Sequence, residues 1–417
     1  MAADAESTNL DPRPAGTNAE LLLELLRRTH LSAPSDLAEV IAETAALIGA
    51  TDVVVYVIDF EQATLVPLGA RYGGEVLSVA GTIAGRAFST TSILRTPTEA
   101  PHGERLWLPL LDGTERLGVL AMTLVTGTLS EATVTLLERY AHLVATLMAT
   151  KGNYGDAIET ARRRQPMTIA SEMVWSLAPP LVFATNDLSL AAVLEPAYDN
   201  GGDAFDYAVD ERVLHLGIFD AMGHGLPAAG VAAFALAAYR NRRRAGSNLM
   251  ETSAAMDAAV GEQFPDSRFV TALIARLELD SGQLTWICAG HPPPLVIRDG
   301  RHVRELESIP EPPLGTGLGA AAPTMMSESL EPGDLLLFYT DGLVEAHDRN
   351  GMRFTLEDVG RYIAREATAG QTVPETLRRF RHAMLGRERA DLRDDATAVL
   401  VRWRGGDERR LLPQTVL

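Results

Sequence analysis

The chain has 417 residues, 46% of them hydrophobic and 22% charged, and its 37 basic and 55 acidic side chains leave a formal net charge of −18. That length favours two domains over a single core, and residues 1–150 alone hold 9 Arg and no Lys against 18 acids, which excludes the net basic surface of a nucleic-acid binder. Cys288 is the only cysteine, which excludes an internal disulfide and a cysteine-built metal site.

The N-terminus shows no basic start followed by an apolar run, so no secretory signal is expected. The longest apolar stretch, Leu226 to Tyr239, is about 14 residues. A bilayer span needs roughly 20, and a cytoplasmic protein without membrane contact is expected.

Residues 1–17 are polar with Pro12, Pro14 and Gly16 and are expected to form a tail. AELLLELLRR predicts a first helix, and a second starts at Ser35, whose hydroxyl is expected to cap it, and stops at Gly49. TDVVVYVIDF predicts a buried strand with EQATLVPL as its partner. RLWLPLL and RLGVLAMTLV read as a hairpin turning at Asp112-Gly113, followed by a long helix from about Ser130.

This order of elements over 18–150 resembles a GAF domain, a sensing module built on an antiparallel sheet, and GTIAGRAFSTTSIL (81–94) is similar to its Gly-rich turn and pocket helix. Another α+β domain of the same order is the alternative. The resemblance implies a small ligand whose identity stays open. His30, His102 and His142 are more ordinarily surface or core histidines than haem or metal ligands. Residues 151–184 read as a helical connector, with Ile169 to Leu177 as a helix ended by Pro179-Pro180. It either carries a signal or simply tethers, and a homodimer through these helices is expected.

Four acidic motifs follow, each where a strand meets a turn: Asn200-Gly201-Gly202-Asp203, Phe219-Asp220 before Gly223 and Gly225, Tyr339-Thr340-Asp341-Gly342, and Asp394-Asp395-Ala396-Thr397. Singly, an Asp-Gly after a strand is usually a turn. Together they suit phosphate ester hydrolysis. That reaction needs an activated water and compensation of phosphoryl charge, both of which a pair of hard, oxygen-liganded divalent ions supplies.

GGDAFDY, FDAMGHG with its helix, FVTALIARLELDSGQLTWICAGHPPPLVI, PLGTG, LEPGDLLLFYTDGLVEA and DDATAVLV occur in that order over about 185–405. The series resembles the bacterial metal-dependent PPM (protein phosphatase 2C-like) phosphatases of the SpoIIE type. The resemblance implies an α+β protein: an α-β-β-α sandwich of two antiparallel sheets flanked by helices, preceded by the GAF-like domain and followed by a tail at 406–417.

It also implies two divalent ions, Mn²⁺ or Mg²⁺. Asp220 would bridge them, with the Ala221 carbonyl on one. Asp203 would contact one mainly through water, and Asp341 and Asp394 would hold the second. Asp220 and Asp341 would act catalytically through metal-bound water, and Asp395 would support the ligands. The substrate implied is a phosphoserine or phosphothreonine on a protein, typically an anti-sigma-factor antagonist.

His224 and His291 are expected to shape turns, Asp206 to support Asp203 or its own turn, and Cys288 to be a buried thiol. Arg240 and Arg242–Arg244 suit the negative end of their helix. AAVLEPAY, just before the first acidic block, offers no arginine to hold phosphate, which leaves that role to the metals, with Arg268 as a guess. A phosphoprotein-binding module without turnover, and a phosphatase of a small metabolite, stay open as alternatives.

Overall fold

The computed structural model describes residues 15–69, 74–98, 103–125, 130–265, 268–318, 323–345, 347–348, 354–385, 390–391 and 394–405. The tail expected at 406–417, most of that at 1–17, and His102 lie outside them. The chain divides into two compact units, Met1–Asp112 with Arg116–Arg164, and Gly113–Glu115 with Gln165–Leu417.

The first unit is an α+β domain built on one six-stranded antiparallel sheet. Its helices are α1 (Ala15–Thr29), α2 (Leu37–Ala45), α3 (Ile83–Thr90), α4 (Glu131–Gly152) and α5 (Ala157–Arg162). Its strands are β1 (Ala50–Ile58), β2 (Thr64–Pro67), β3 (Leu77–Ser78), β4 (Leu94–Pro97), β5 (Gly103–Asp112) and β6 (Glu115–Val125), in the order β3-β2-β1-β6-β5-β4. The unbroken apolar run of β1 has a simple cause, because successive side chains of a strand point to opposite faces. Val53, Val55 and Val57 enter the core with α1, α2 and α4. Val54, Tyr56 and Ile58 pack on the other face with Ala84 and Phe88 of α3.

Ser130 caps α4, and Gly49 (φ 78°) and Gly113 (φ 57°) make the expected turns in the left-handed region. Ser35 does not cap α2. It sits in a short turn, Pro34–Asp36, and its hydroxyl donates to Asp36 instead. A cavity of about 890 Å³ opens on the sheet, lined among others by Asp52, Tyr56, Glu75, Arg105, Trp107 and Thr123.

In the second unit α6 (Ile169–Leu177) leads into β7 (Val182–Ala184), β8 (Leu188–Glu195), β9 (Asp203–Asp210) and β10 (Val213–Ala221). Helices α7 (Gly225–Arg244) and α8 (Leu249–Gln263) follow, then β11 (Val270–Glu278), β12 (Gln283–Ala289), β13 (Leu295–Arg298), β14 (His302–Glu305), β15 (Met326–Ser329) and β16 (Leu335–Tyr339). The unit closes with α9 (Gly342–Glu345), β17 (His347–Asp348), α10 (Leu356–Thr368), α11 (Val373–Phe380), β18 (Ala390–Asp391) and β19 (Ala396–Trp403).

Two antiparallel sheets result, β15-β12-β11-β10-β9 and β14-β13-β16-β19-β8-β7. Alternation along β10 shows the layering: Leu214, Leu216 and Ile218 join the core shared with the second sheet, while Phe219 and Ala221 meet α7 and α8. Val359, Ile363, Leu377 and Phe380 of α10 and α11 cover the second sheet. The unit is therefore an α-β-β-α sandwich. Alanines 228, 232 and 235 let α7 lie close to its sheet. Among the described residues no helix is long and apolar enough to cross a membrane.

Candidate active site

Antiparallel pairing brings the acidic motifs to one end of the sandwich. β9 begins at Asp203 and β10 ends just past Asp220, so the register sets Asp203 directly opposite Asp220 and Asp220 opposite Thr271. In the other sheet β16 ends just before Thr340-Asp341, and its partner β19 begins just after Asp394-Asp395. Asp203 is 1% exposed and Asp220 half-buried, while Asp341 and Asp394 are exposed.

Two hydrogen-bonded threads tie the sheets together at this end. Asp395 Oδ2 accepts from the Gly201 and Gly202 amides at 2.9 and 2.6 Å. The Thr397 amide donates to Thr340 Oγ1 at 2.9 Å, and that hydroxyl donates to Asp203 Oδ2 at 2.7 Å. Asp394 Oδ1 accepts from the Asp395 amide.

The glycines serve closeness here. Neither Gly201 nor Gly202 has positive φ. A Cβ on Gly201 would stand 2.9 Å from the Gly225 backbone, and one on Gly202 3.2 Å from the Ala221 carbonyl oxygen. What these glycines permit is close approach of neighbouring backbone rather than a left-handed conformation. Gly342 is stricter still, with a Cβ falling 2.0 Å from the Asp395 carbonyl oxygen.

Electrostatics set these groups apart from surface carboxylates. Burial, then the charges of Asp220 and Asp395, push the Asp203 carboxyl well above the usual range. Burial, then Asp341, Asp394 and Asp395, push Asp220 up to about 7. Burial raises Asp341, with Glu345 and Asp394 adding to it. Asp395 is raised by burial against the opposing effect of its two glycine donors. Carboxylates are the charged neighbours that raise these four groups most.

That donor set fits hard divalent cations, which choose oxygen and retain several waters. Asp203, Asp220, Asp341, Asp394 and the Ala221 carbonyl would hold them. Among the described residues no three His, Cys, Asp or Glu groups are already spaced to grip one ion directly. The fit rests on clustered, uncompensated oxygen donors.

His224 is exposed at the start of α7 and makes no capping bond with its side chain. His291 is buried at the end of β12, its Nδ1 2.8 Å from Thr271 Oγ1. Burial pulls it down to about 3 and keeps it neutral. Cys288 is buried, and burial pushes its thiol up to about 11. Arg268 lies half-buried just before β11.

Asp206 supports neither Asp203 nor its own turn. It faces α7 and accepts from Arg240 and Arg243 at 2.7 and 3.0 Å, so those two arginines also anchor the helix, whose last turn carries Arg242, Arg243 and Arg244. Sequence reasoning missed Thr340 and Thr397. A threonine beside Asp341 carries no sign that its hydroxyl serves a carboxylate 137 residues away.

Residues 210–404, which take in Asp220, Ala221, Asp341 and Asp394, match the family described as Stage II sporulation protein E (SpoIIE). Over those residues the second unit is similar to the SpoIIE-type phosphatase domains. The chain is 23% identical over 243 residues to "Phosphoserine phosphatase RsbU" of Bacillus subtilis (strain 168), covering 57% of this chain and 70% of that protein.

Among solved structures, the RsbU and RsbW domains of Rv1364c from Mycobacterium tuberculosis are 30% identical with a TM-score of 0.44, covering 52% of this chain and 60% of that one. The SiaA-PP2C domain of Pseudomonas aeruginosa is 21% identical with a TM-score of 0.47, covering 61% of this chain and 99% of that one.

Proposed function

We propose that the protein hydrolyses phosphoserine or phosphothreonine on a regulatory protein, an anti-sigma-factor antagonist, with Mn²⁺ or Mg²⁺ in its SpoIIE-type domain. The observation that carries this reading is the convergence of Asp203, Asp220, Asp341 and Asp394 at one sandwich end, where neighbouring carboxylates help push Asp203, Asp220 and Asp341 up. The cations supply positive charge for the phosphoryl oxygens and lower the pKa of water.

The chain's own residues do the rest. Asp220 and Asp203, facing each other across β9 and β10, present their oxygens from rigid strands. Thr340 fixes Asp203, and Asp395 fixes the glycine turn that precedes it. His291, held neutral by burial, orders the end of β12 rather than moving a proton. The exposure of Asp341 and Asp394 favours a protein substrate over a small enclosed metabolite.

The proposal extends to the division of labour, with 18–150 as a GAF-like sensor, 151–184 as connector and 185–405 as phosphatase. The cavity beside Tyr56, Arg105 and Trp107 supports a sensor role: Arg105 lies 5.4 Å from the Trp107 ring centroid and has no ion-pair partner among the described residues. That chemistry suits an anionic, planar ligand.

The test is phosphate release from a phosphorylated antagonist protein against p-nitrophenyl phosphate. A true substrate should give a kcat/KM roughly 100-fold higher, because contacts remote from the reacting phosphate contribute binding energy. Equal values for the two would remove the protein-substrate reading.

A further inference from the structure

The turn carrying Asp203 is held from a direction the metal chemistry does not explain. Helix α6 lies along the segment just before it, and three bonds run from the helix and its N-cap to carbonyls there. The Thr168 amide, at the start of α6, donates to the Tyr198 carbonyl at 3.0 Å. Ser171 Oγ, on a residue with no exposure, donates to the Asn200 carbonyl at 2.9 Å. Trp175 Nε1 donates to the Ala197 carbonyl at 2.8 Å. Residues three and four apart share one face of a helix, so Thr168, Ser171 and Trp175 form a single row.

Asn200 cannot hold this segment itself, because its buried side-chain amide has no partner for either Nδ2 or Oδ1 among the described residues. Beyond Asn200, the Gly201 and Gly202 amides donate to Asp395, and Asp203 follows at once. The turn is therefore gripped from two sides, by Asp395 on its inner side and by α6 on the other. Arg240 completes the arrangement by donating to the Leu177 carbonyl at 2.7 Å, which fastens the end of α6 to α7.

We propose that Ser171 and Trp175 are positioning residues for divalent-metal binding: acting through the Ala197–Asn200 backbone, they set where Asp203 stands. Neither touches substrate or metal, and their effect is on the geometry of the turn. The inference rests on the reading that this site holds divalent cations.

The experiment is calorimetric titration of the full chain with MnCl₂, together with thermal melts in EDTA. The set is wild type, Ser171→Ala, Trp175→Phe, which keeps an aromatic ring but loses the donor, and Val174→Ala. Val174 is buried on the core side of the same helix and makes none of these bonds.

Loss of one bond should weaken Mn²⁺ binding about fivefold in Ser171→Ala and in Trp175→Phe, the factor a single hydrogen bond commonly contributes. Val174→Ala should lower the melting temperature and leave Mn²⁺ affinity within twofold. Unchanged affinity in both donor variants overturns the inference, as does an equal loss in Val174→Ala, since destabilisation alone would then explain the effect. Absence of Mn²⁺ binding by wild type would instead overturn the metal reading itself, a result distinguishable from either.

Discussion

Asp220 holds two properties in tension: under the proposed function the site needs its charge to hold cations, and the metal-free fold is destabilised by that charge. Its carboxyl titrates near 7 in the folded chain against an ordinary value of 3.8. The folded state therefore binds a proton that the unfolded state has released across that window. Stability of the metal-free protein must fall as pH rises from about 4 to about 7. Thermal melts in EDTA are expected to give a higher Tm at pH 5.5 than at pH 8, and Asp220→Asn should reduce that difference and raise the Tm at pH 8. A pH-independent Tm in the wild type would contradict the assignment.

Thr340 gives a second residue-level expectation. Thr340→Val keeps the shape but leaves the buried Asp203 carboxylate short of a donor. The expected cost is about 1–3 kcal/mol, read from urea unfolding.

Much at this scale was open to sequence reading and some was not. The four acidic motifs, their strand ends and the left-handed glycines are local features, and local features leave local signatures. The grip of Asp395 on Gly201 and Gly202 joins residues more than 190 positions apart. The steric demand of Gly342 against Asp395 likewise joins two segments separated by several elements of the chain. Such contacts exist only once the sheets have stacked, and Asp206 was misread for the same reason: its partners are set by how α7 lies on β9.

Among the elements, α7 is attached at both ends. Its first residue, Gly225, abuts Gly201, and its last turns meet Asp206 through Arg240 and Arg243. Asp206 has a side chain 2% exposed and Arg243 one 9% exposed. Asp206→Ala would leave a buried guanidinium without its carboxylate, at a cost of about 3–5 kcal/mol. Asp206→Asn should cost less, because it retains an acceptor. Denaturant unfolding of both variants reads the difference, and equal stability of the two with wild type would show that the anchor contributes nothing. Strands and helices were the most legible layer of the sequence, because the alternation in β10 and the capped starts of α3 and α4 follow from periods and end signals. The Ser35 cap failed because Pro34 begins a tighter turn before the helix proper.

For the whole molecule, two compact units divide the chain, and their chemistry differs. The cavity of the first unit offers Arg105 and aromatic rings, whereas the sandwich end offers clustered carboxylates. If the cavity takes an anionic planar ligand, Arg105→Ala should weaken its binding by roughly tenfold while leaving Mn²⁺ affinity unchanged, with the ligand's own fluorescence or calorimetry as the readout. The central claim is narrower and comes first: the sandwich end is a metal-dependent phosphatase site. Hydrolysis of p-nitrophenyl phosphate and of a phosphoserine peptide, with Mn²⁺, Mg²⁺ or EDTA, for wild type and Asp220→Asn, tests it directly. The account predicts turnover with Mn²⁺ or Mg²⁺ that EDTA abolishes and that Asp220→Asn lowers by at least about 100-fold. Turnover that survives EDTA, or persists undiminished in Asp220→Asn, would contradict it.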